Sequence, residues 1–173
     1  MMGFSLGDIV FIAAVCLLIW GILNRVNKNK QPHSKEGIMP LDDETIREIL
    51  KSSHVVAMVG ASSNAERPSN HVFEYLLNAG YTMVPVNPKD EQIFGQKVFR
   101  TLQDIPLQID IVDVFRNPDQ APQVAREAVA VGAKVLWLQE GVVSEEARDI
   151  ALSAGLKVVM DRCMLKEHRR LGI

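Results

Sequence analysis

Cysteine is nearly absent from this chain: Cys16 and Cys163 are the only two in 173 residues. They stand in unlike contexts, so neither a disulfide framework nor a zinc site can be built from them. Two free thiols suit a reducing compartment. Excess charge is also lacking. A net charge of −2 gives no basic surplus for nucleic acid or another polyanion. No spacing of His, Cys, Asp or Glu matches a metal-ligand motif, so no metal site is expected. His33 and His54 have no partners in sequence and read as ordinary side chains. No internal repeat or low-complexity tract is present. The three-glycine dinucleotide fingerprint is missing too, because only Gly60 occupies the turn where it would fall. The ribose-binding acid expected about 20 residues further on is absent.

What is present begins with a long apolar run, Ile9 to Leu23. At ~1.5 Å per residue it spans about 22 Å, against a hydrocarbon core of about 30 Å; counted from Phe4 it reaches that length. Trp20 sits where an interfacial aromatic would, and Arg25, Lys28, Lys30 and Lys35 follow, with no Lys or Arg before the run. That asymmetry predicts an outside N-terminus and a cytoplasmic domain. The basic n-region and small-residue cleavage site of a signal peptide are not evident. The expected organisation is a membrane anchor over residues 1–23, in contact with the bilayer through residues 4–23, a polar linker over 24–40 and a domain over 41–173. If translation starts at Met39, the domain is simply cytoplasmic.

Within the domain, apolar strands alternate with helices. Strands are expected at His54–Val59, Thr82–Val86, Asp110–Phe115, Lys134–Leu138 and Lys157–Met160, with a short extended piece near Gly95–Phe99 and a helical turn at Thr101–Ile105. Helices are expected after Asp42, after Ser69, from Pro118 behind an Asn117 cap, after Ser144 and over Met164–Arg170. Strands apolar on both faces require cover on both faces. The fold class is α/β, a Rossmann-like parallel sheet of about five strands with helices on either side, preceded by one transmembrane helix.

Ligands of such sheets bind beyond the carboxyl ends of the strands. That rule selects the loops Gly60–Ser69, Asn87–Lys89, Arg116-Asn117 and Gln139-Glu140-Gly141. The first runs from a buried strand through a glycine turn and a polar loop into a helix start, an arrangement that offers backbone N–H groups and a positive dipole end to an anion. Arg67, Lys89 and Arg116 supply cations for a ligand with several phosphates. Each residue also has a plain structural reading: Gly60 as a packing turn, Arg67 paired with Glu66 or Glu74, Lys89 solvated, Pro85 and Pro88 as stiffeners, and Phe115 as core.

Gly60-Ala61-Ser62-Ser63, Arg67-Pro68-Ser69-Asn70, Val84-Pro85-Val86-Asn87-Pro88, Asp113-Val114-Phe115-Arg116 and Asp161-Arg162-Cys163 occur in that order. Together they resemble the stand-alone CoA-binding domain family, related to the CoA-binding N-terminal domain of the succinyl-CoA synthetase α subunit. The resemblance covers roughly Leu41 to Leu171. It implies coenzyme A or acyl-CoA as ligand, with the Gly60 loop on the pyrophosphate and Arg67 to Asn70 beside it. The expected binding residues are Gly60, Ala61, Ser62, Ser63, Arg67, Pro68, Ser69, Asn87, Pro88, Lys89, Phe115 and Arg116.

The C-terminal Asp161-Arg162-Cys163 and His168-Arg169-Arg170 suggest chemistry, but Cys163 and His168 do not share a helical face as an i, i+4 pair would. An arginine partner for Asp161 and a helix-end role for His168 account for them, and no catalytic residue is assigned. The expectation is a CoA- or acyl-CoA-binding module tethered to the cytoplasmic face of a membrane. The alternative is an NADP-dependent enzyme or regulatory subunit using the same phosphate loop, with Lys89 on a 2′-phosphate. A homodimer is compatible with the fold and is specified by no residue.

Overall fold

The structure, a computed structural model, describes residues 41–173. The expected anchor and linker lie outside those residues. Among the described residues no helix is long and apolar enough to cross a membrane. In chain order the elements are α1 (Asp43–Ser52), β1 (Val55–Val59), α2 (Pro68–Asn78), β2 (Thr82–Val86), β3 (Gln92–Ile93), β4 (Gln96–Lys97), β5 (Ile111–Val114), α3 (Ala121–Ala130), β6 (Val135–Leu138), α4 (Glu145–Ser153), β7 (Lys157–Val159) and α5 (Met164–Arg170). Five strands pair in parallel in the order β2-β1-β5-β6-β7.

The period-two alternation of a strand divides the core. Ala57, Val59, Val112, Val114, Leu136 and Leu138 pack under α3 and α4 through Ala121, Val124, Ala125, Ala147 and Ala151. Val56, Met58, Ile111, Val135 and Trp137 pack under α1, α2 and α5 through Ile46, Leu50, Phe73, Leu76 and Met164. The small alanines let α3 and α4 lie close to the sheet, while the larger side chains fill the other face. Each covered face removes apolar area from water at about 25 cal/mol per Å².

Caps hold where short polar side chains were expected. Asp42 accepts the Thr45 amide at 2.7 Å, and Ser144 accepts the Ala147 amide at 3.3 Å. Two helix starts differ. Helix α2 opens at Pro68 with Arg67 as N-cap, so Ser69 falls inside the first turn instead of capping it. The fixed φ of proline suits the first helical position. Asn117 makes no side-chain cap; Pro118–Gln120 form a 3-10 turn and the α-helix begins at Ala121. Pro122 has no amide to give to an upstream carbonyl, so the α ladder starts around it.

The expected extended piece is a two-stranded hairpin. It turns through Phe94 and Gly95, with φ of 48° and 73°, the twist a two-residue hairpin favours. Phe94 adopts this backbone while its ring stacks on Phe73, centroids 5.9 Å apart.

At the amino end of the sheet, buried Asp110 accepts the amides of His54 and Val55 at 2.9 and 3.0 Å and Lys134 Nζ at 2.7 Å. Burial works against its charge, but the Lys134 contact and the amides outweigh it and hold the carboxyl below its ordinary range. Between α1 and α5, Arg170 forks onto Asp43 at 2.7 Å through both nitrogens and also reaches Glu167. Trp137, fully buried, donates its indole N–H to the Arg162 carbonyl at 2.7 Å.

Candidate functional site

Strand β1 lies between β2 and β5, so the chain reverses its direction of winding there. The loops after those three strands must splay apart at such a point, and a crevice opens outside their carboxyl ends. The crevice has a volume of ≈ 310 Å³ and is lined by Gly60, Ala61, Ser62, Ser63, Asn64, Arg67, Asn87, Pro88, Lys89, Asp90, Phe115 and Arg116. Ten of the twelve residues expected from sequence are among them. Pro68 and Ser69 are not, because both belong to the first turn of α2. The Gln139–Gly141 loop does not reach the crevice either: Gln139 turns inward to Asp113, and the Gly141 amide goes to Asp161 Oδ1 at 2.8 Å.

Gly60 has a structural cause independent of any ligand. Its φ is +95°, and a Cβ there would stand 2.1 Å from the Phe115 carbonyl oxygen. The Gly60 amide continues the sheet ladder to the Val86 carbonyl at 3.0 Å. Beyond it the loop is held by polar side chains. Buried Asn70 donates to the Ser62 carbonyl at 2.9 Å, and Asn87 donates to the Ala61 carbonyl at 2.6 Å. Ser63 gives both amide and hydroxyl to Asp90, at 3.3 and 3.1 Å. Ser62 Oγ accepts the Asn64 amide at 3.2 Å. With these bonds made, the backbone amides of Ala61 and Ser62 have no protein acceptor among the described residues.

The cations complete the picture. None of Arg67, Lys89 and Arg116 forms an ion pair among the described residues, although Arg47, Arg126, Arg148, Arg162 and Arg170 all do. The pairing of Arg67 with Glu66 or Glu74 is not formed. Free amides and unpaired cations around one concavity are the groups that hydrogen-bond and pair with an anion. Phe115, half-buried, packs against the core and also forms part of the wall.

Strand β5 holds a buried acid that was not among the expected site residues. Asp113 is fully buried, two residues before Phe115; Oδ1 accepts the Gln139 side-chain N–H at 2.7 Å and Oδ2 has no partner. Burial pushes its carboxyl up to about 7, against the Gln139 hydrogen bond that favours the charge. Its sequence signals were an acid inside an otherwise apolar strand and its place at the head of the Asp113-Val114-Phe115-Arg116 motif.

The C-terminal cluster plays a packing part. Asp161, with φ of 57°, takes the Gly141 amide rather than an arginine. His168 does not end a helix in solvent. It is buried between Tyr75 and Tyr81, with Nδ1 3.0 Å from the Tyr75 hydroxyl, and burial pushes its imidazole down. Cys163 stands half-buried at the N-cap of α5 and does not line the crevice. Among the described residues no cluster could hold a metal ion.

Residues 54–169 match the CoA-binding domain family. The uncharacterised protein YneT of Bacillus subtilis is 41% identical over 123 residues, 71% of this chain and 91% of that protein. A hypothetical protein from Pyrococcus horikoshii OT3 superposes with a TM-score of 0.75 at 42% identity, covering 83% of this chain and 99% of that one. More distantly, the ADP-forming acetate–CoA ligase I of Archaeoglobus fulgidus is 24% identical over 120 residues, 64% of this chain and 18% of the ligase.

Proposed function

The chain belongs to the CoA-binding domain family, and from that membership we propose that its crevice binds coenzyme A or acyl-CoA as a module without chemistry of its own. The observation that carries the reading is the set of cations left without acids: Arg67, Lys89 and Arg116 line one concavity that also holds the free Ala61 and Ser62 amides. A pyrophosphate beside a 3′-phosphate presents charges that such a set can meet, through the Gly60 loop and Arg67 on one side and Lys89 on another. The match to an acetate–CoA ligase supports the same ligand class.

Thermal-shift titration of the full chain is the direct test. Ligand at 100 to 1,000 times its Kd adds about 3–4 kcal/mol of stability, so millimolar CoA raises the melting temperature of a micromolar binder. No shift with CoA or acetyl-CoA rejects the proposal. Dephospho-CoA and NADP belong in the same series. Weaker binding on removal of the 3′-phosphate supports CoA; preference for NADP moves the reading to a 2′-phosphate on Lys89 and to the rival enzyme class.

The site of action proposed is the cytoplasmic face of a membrane, on the strength of the Ile9–Leu23 run and the basic residues that follow it. The full chain is then expected to sediment with membranes and resist both high salt and alkaline extraction. Release by salt alone means surface attachment through Arg25, Lys28 and Lys30.

A further inference from the structure

One acid stands in a crevice otherwise suited to anions. Asp90 is half-buried, and its carboxylate pairs with none of the cations around it. What it does instead is join the two loops. Oδ1 accepts the Ser63 hydroxyl at 3.1 Å, and Oδ2 accepts the Ser63 amide at 3.3 Å and the Asn87 side-chain amide at 3.1 Å. Asn87 turns back on its own loop, accepting the amides of Lys89 and Asp90 at 2.6 and 3.2 Å. From behind, Arg100 donates to the carbonyls of Asn87 and Asp90, each at 2.9 Å.

A bare carboxylate opposes a phosphate nearby, so its presence needs a compensating effect. The bonds supply one. Ser63 and Asp90 are 27 positions apart, and no other contact of Ser63 fixes it to the second loop. We propose that Asp90 is the positioning residue of the crevice: it locks the Ser63 bend and thereby leaves the Ala61 and Ser62 amides as the anion seat. It also withdraws the two donors of Ser63 from the ligand, so phosphate is confined to those amides and the cations. Donors ordered before binding need not be ordered during it, which strengthens affinity for every ligand of the seat alike. The inference rests on the reading that the crevice takes a phosphate-bearing ligand.

The test uses the full chain with Asp90→Ala and Asp90→Asn, titrated with CoA and dephospho-CoA, plus amide exchange at Ser63 without ligand. Asp90→Ala is expected to weaken both ligands by the same factor, about tenfold, the equivalent of ~1.4 kcal/mol. Asp90→Asn, which keeps one acceptor oxygen, loses about threefold, roughly half that free energy. Ser63 exchange in the ligand-free Asp90→Ala protein speeds up by about tenfold or more, as a local opening becomes easier. Unchanged or tighter CoA binding in both variants overturns the proposal and marks Asp90 as a repelling charge or a bystander. If the wild-type chain binds neither nucleotide, the CoA reading fails by itself, and Ser63 exchange decides the latch. An unchanged exchange rate in Asp90→Ala then overturns it.

Discussion

At the amino end of the sheet Lys134 closes on Asp110 at 2.7 Å and two backbone amides complete that carboxylate. At the carboxyl end Arg67, Lys89 and Arg116 line a crevice with no carboxylate closed on any of them, and Asp113 in β5 keeps one oxygen without a partner among the described residues. The same residue types are thus satisfied in one region and left incomplete in the other. Charge completed by the protein serves the fold. Cations left open at a concavity are available to an anion from solution, and a buried carboxyl oxygen left without a partner is costly enough to need an explanation.

The sharpest way to break this contrast is at its completed end. Asp110→Ala strands the His54 and Val55 amides and frees Lys134, and is expected to cost roughly 2–4 kcal/mol in urea denaturation, the range for unsatisfied buried donors and a lost charged bond. CoA affinity of the folded fraction should not change. A loss of affinity equal to that of a crevice variant would mean that the two ends are not separable.

Arg67→Ala tests the open end. A charge-assisted contact to phosphate is worth roughly 1.5–3 kcal/mol, so affinity for CoA should fall about 10- to 150-fold. Arg67→Lys recovers only part, since a point charge replaces a planar fork. Melting temperature without ligand stays put, because the bonds Arg67 makes at the start of α2 are backbone bonds that alanine keeps, and its side chain pairs with nothing among the described residues. Unchanged affinity with a lowered melting temperature would reverse the assignment.

Asp113 sharpens the comparison through pH. Its folded value of about 7 lies above the ordinary carboxylate value, so the fold favours the protonated form. The stability this contributes is fully present below the unfolded value of about 4 and is lost as pH rises to about 7. Unfolding free energy should therefore decline by on the order of 1 kcal/mol per pH unit across that window. Asp113→Asn should lack this component of the slope. A wild-type profile identical to that of the variant would mean that a hidden partner satisfies Oδ2.

The smallest effect is expected at Arg170. Its fork onto Asp43 is well made but lies in solvent, and exposed pairs of this kind contribute little. Arg170→Ala should shift the melting temperature barely measurably and leave CoA binding alone.

Much of this architecture was legible because it depends on local pattern. Val55–Val59 announces a buried parallel strand by being apolar on both faces, as Ile111–Val114 does apart from Asp113, and the rule that ligands sit beyond the carboxyl ends then selects Gly60, Asn87 and Arg116 from the sequence alone. What stayed hidden depends on distance in the chain. Asp90 finds Ser63 across 27 positions and His168 finds Tyr75 across 93, and no periodicity encodes such meetings. The hairpin at Phe94-Gly95 lacks the Asn-Gly or Asp-Gly pair that marks these turns; a stacked ring stands in for turn chemistry. The shift of the α2 cap from Ser69 to Arg67 was a matter of weighing two local signals, a serine cap and a proline at the first helical position, that differ by two residues.

The burial of Trp137 gives the protein its own optical probe. It is the only indole among the described residues, and the other tryptophan of the chain is Trp20. By strand register Trp137 stands beside Asp113, so a carboxylate forming there changes the electric field across the ring. In a Trp20→Phe background, the emission wavelength should move with pH near 7 and stay fixed when Asp113→Asn is added. The same signal reports unfolding, as the indole leaves its dry pocket for water, and no external dye is needed for either measurement.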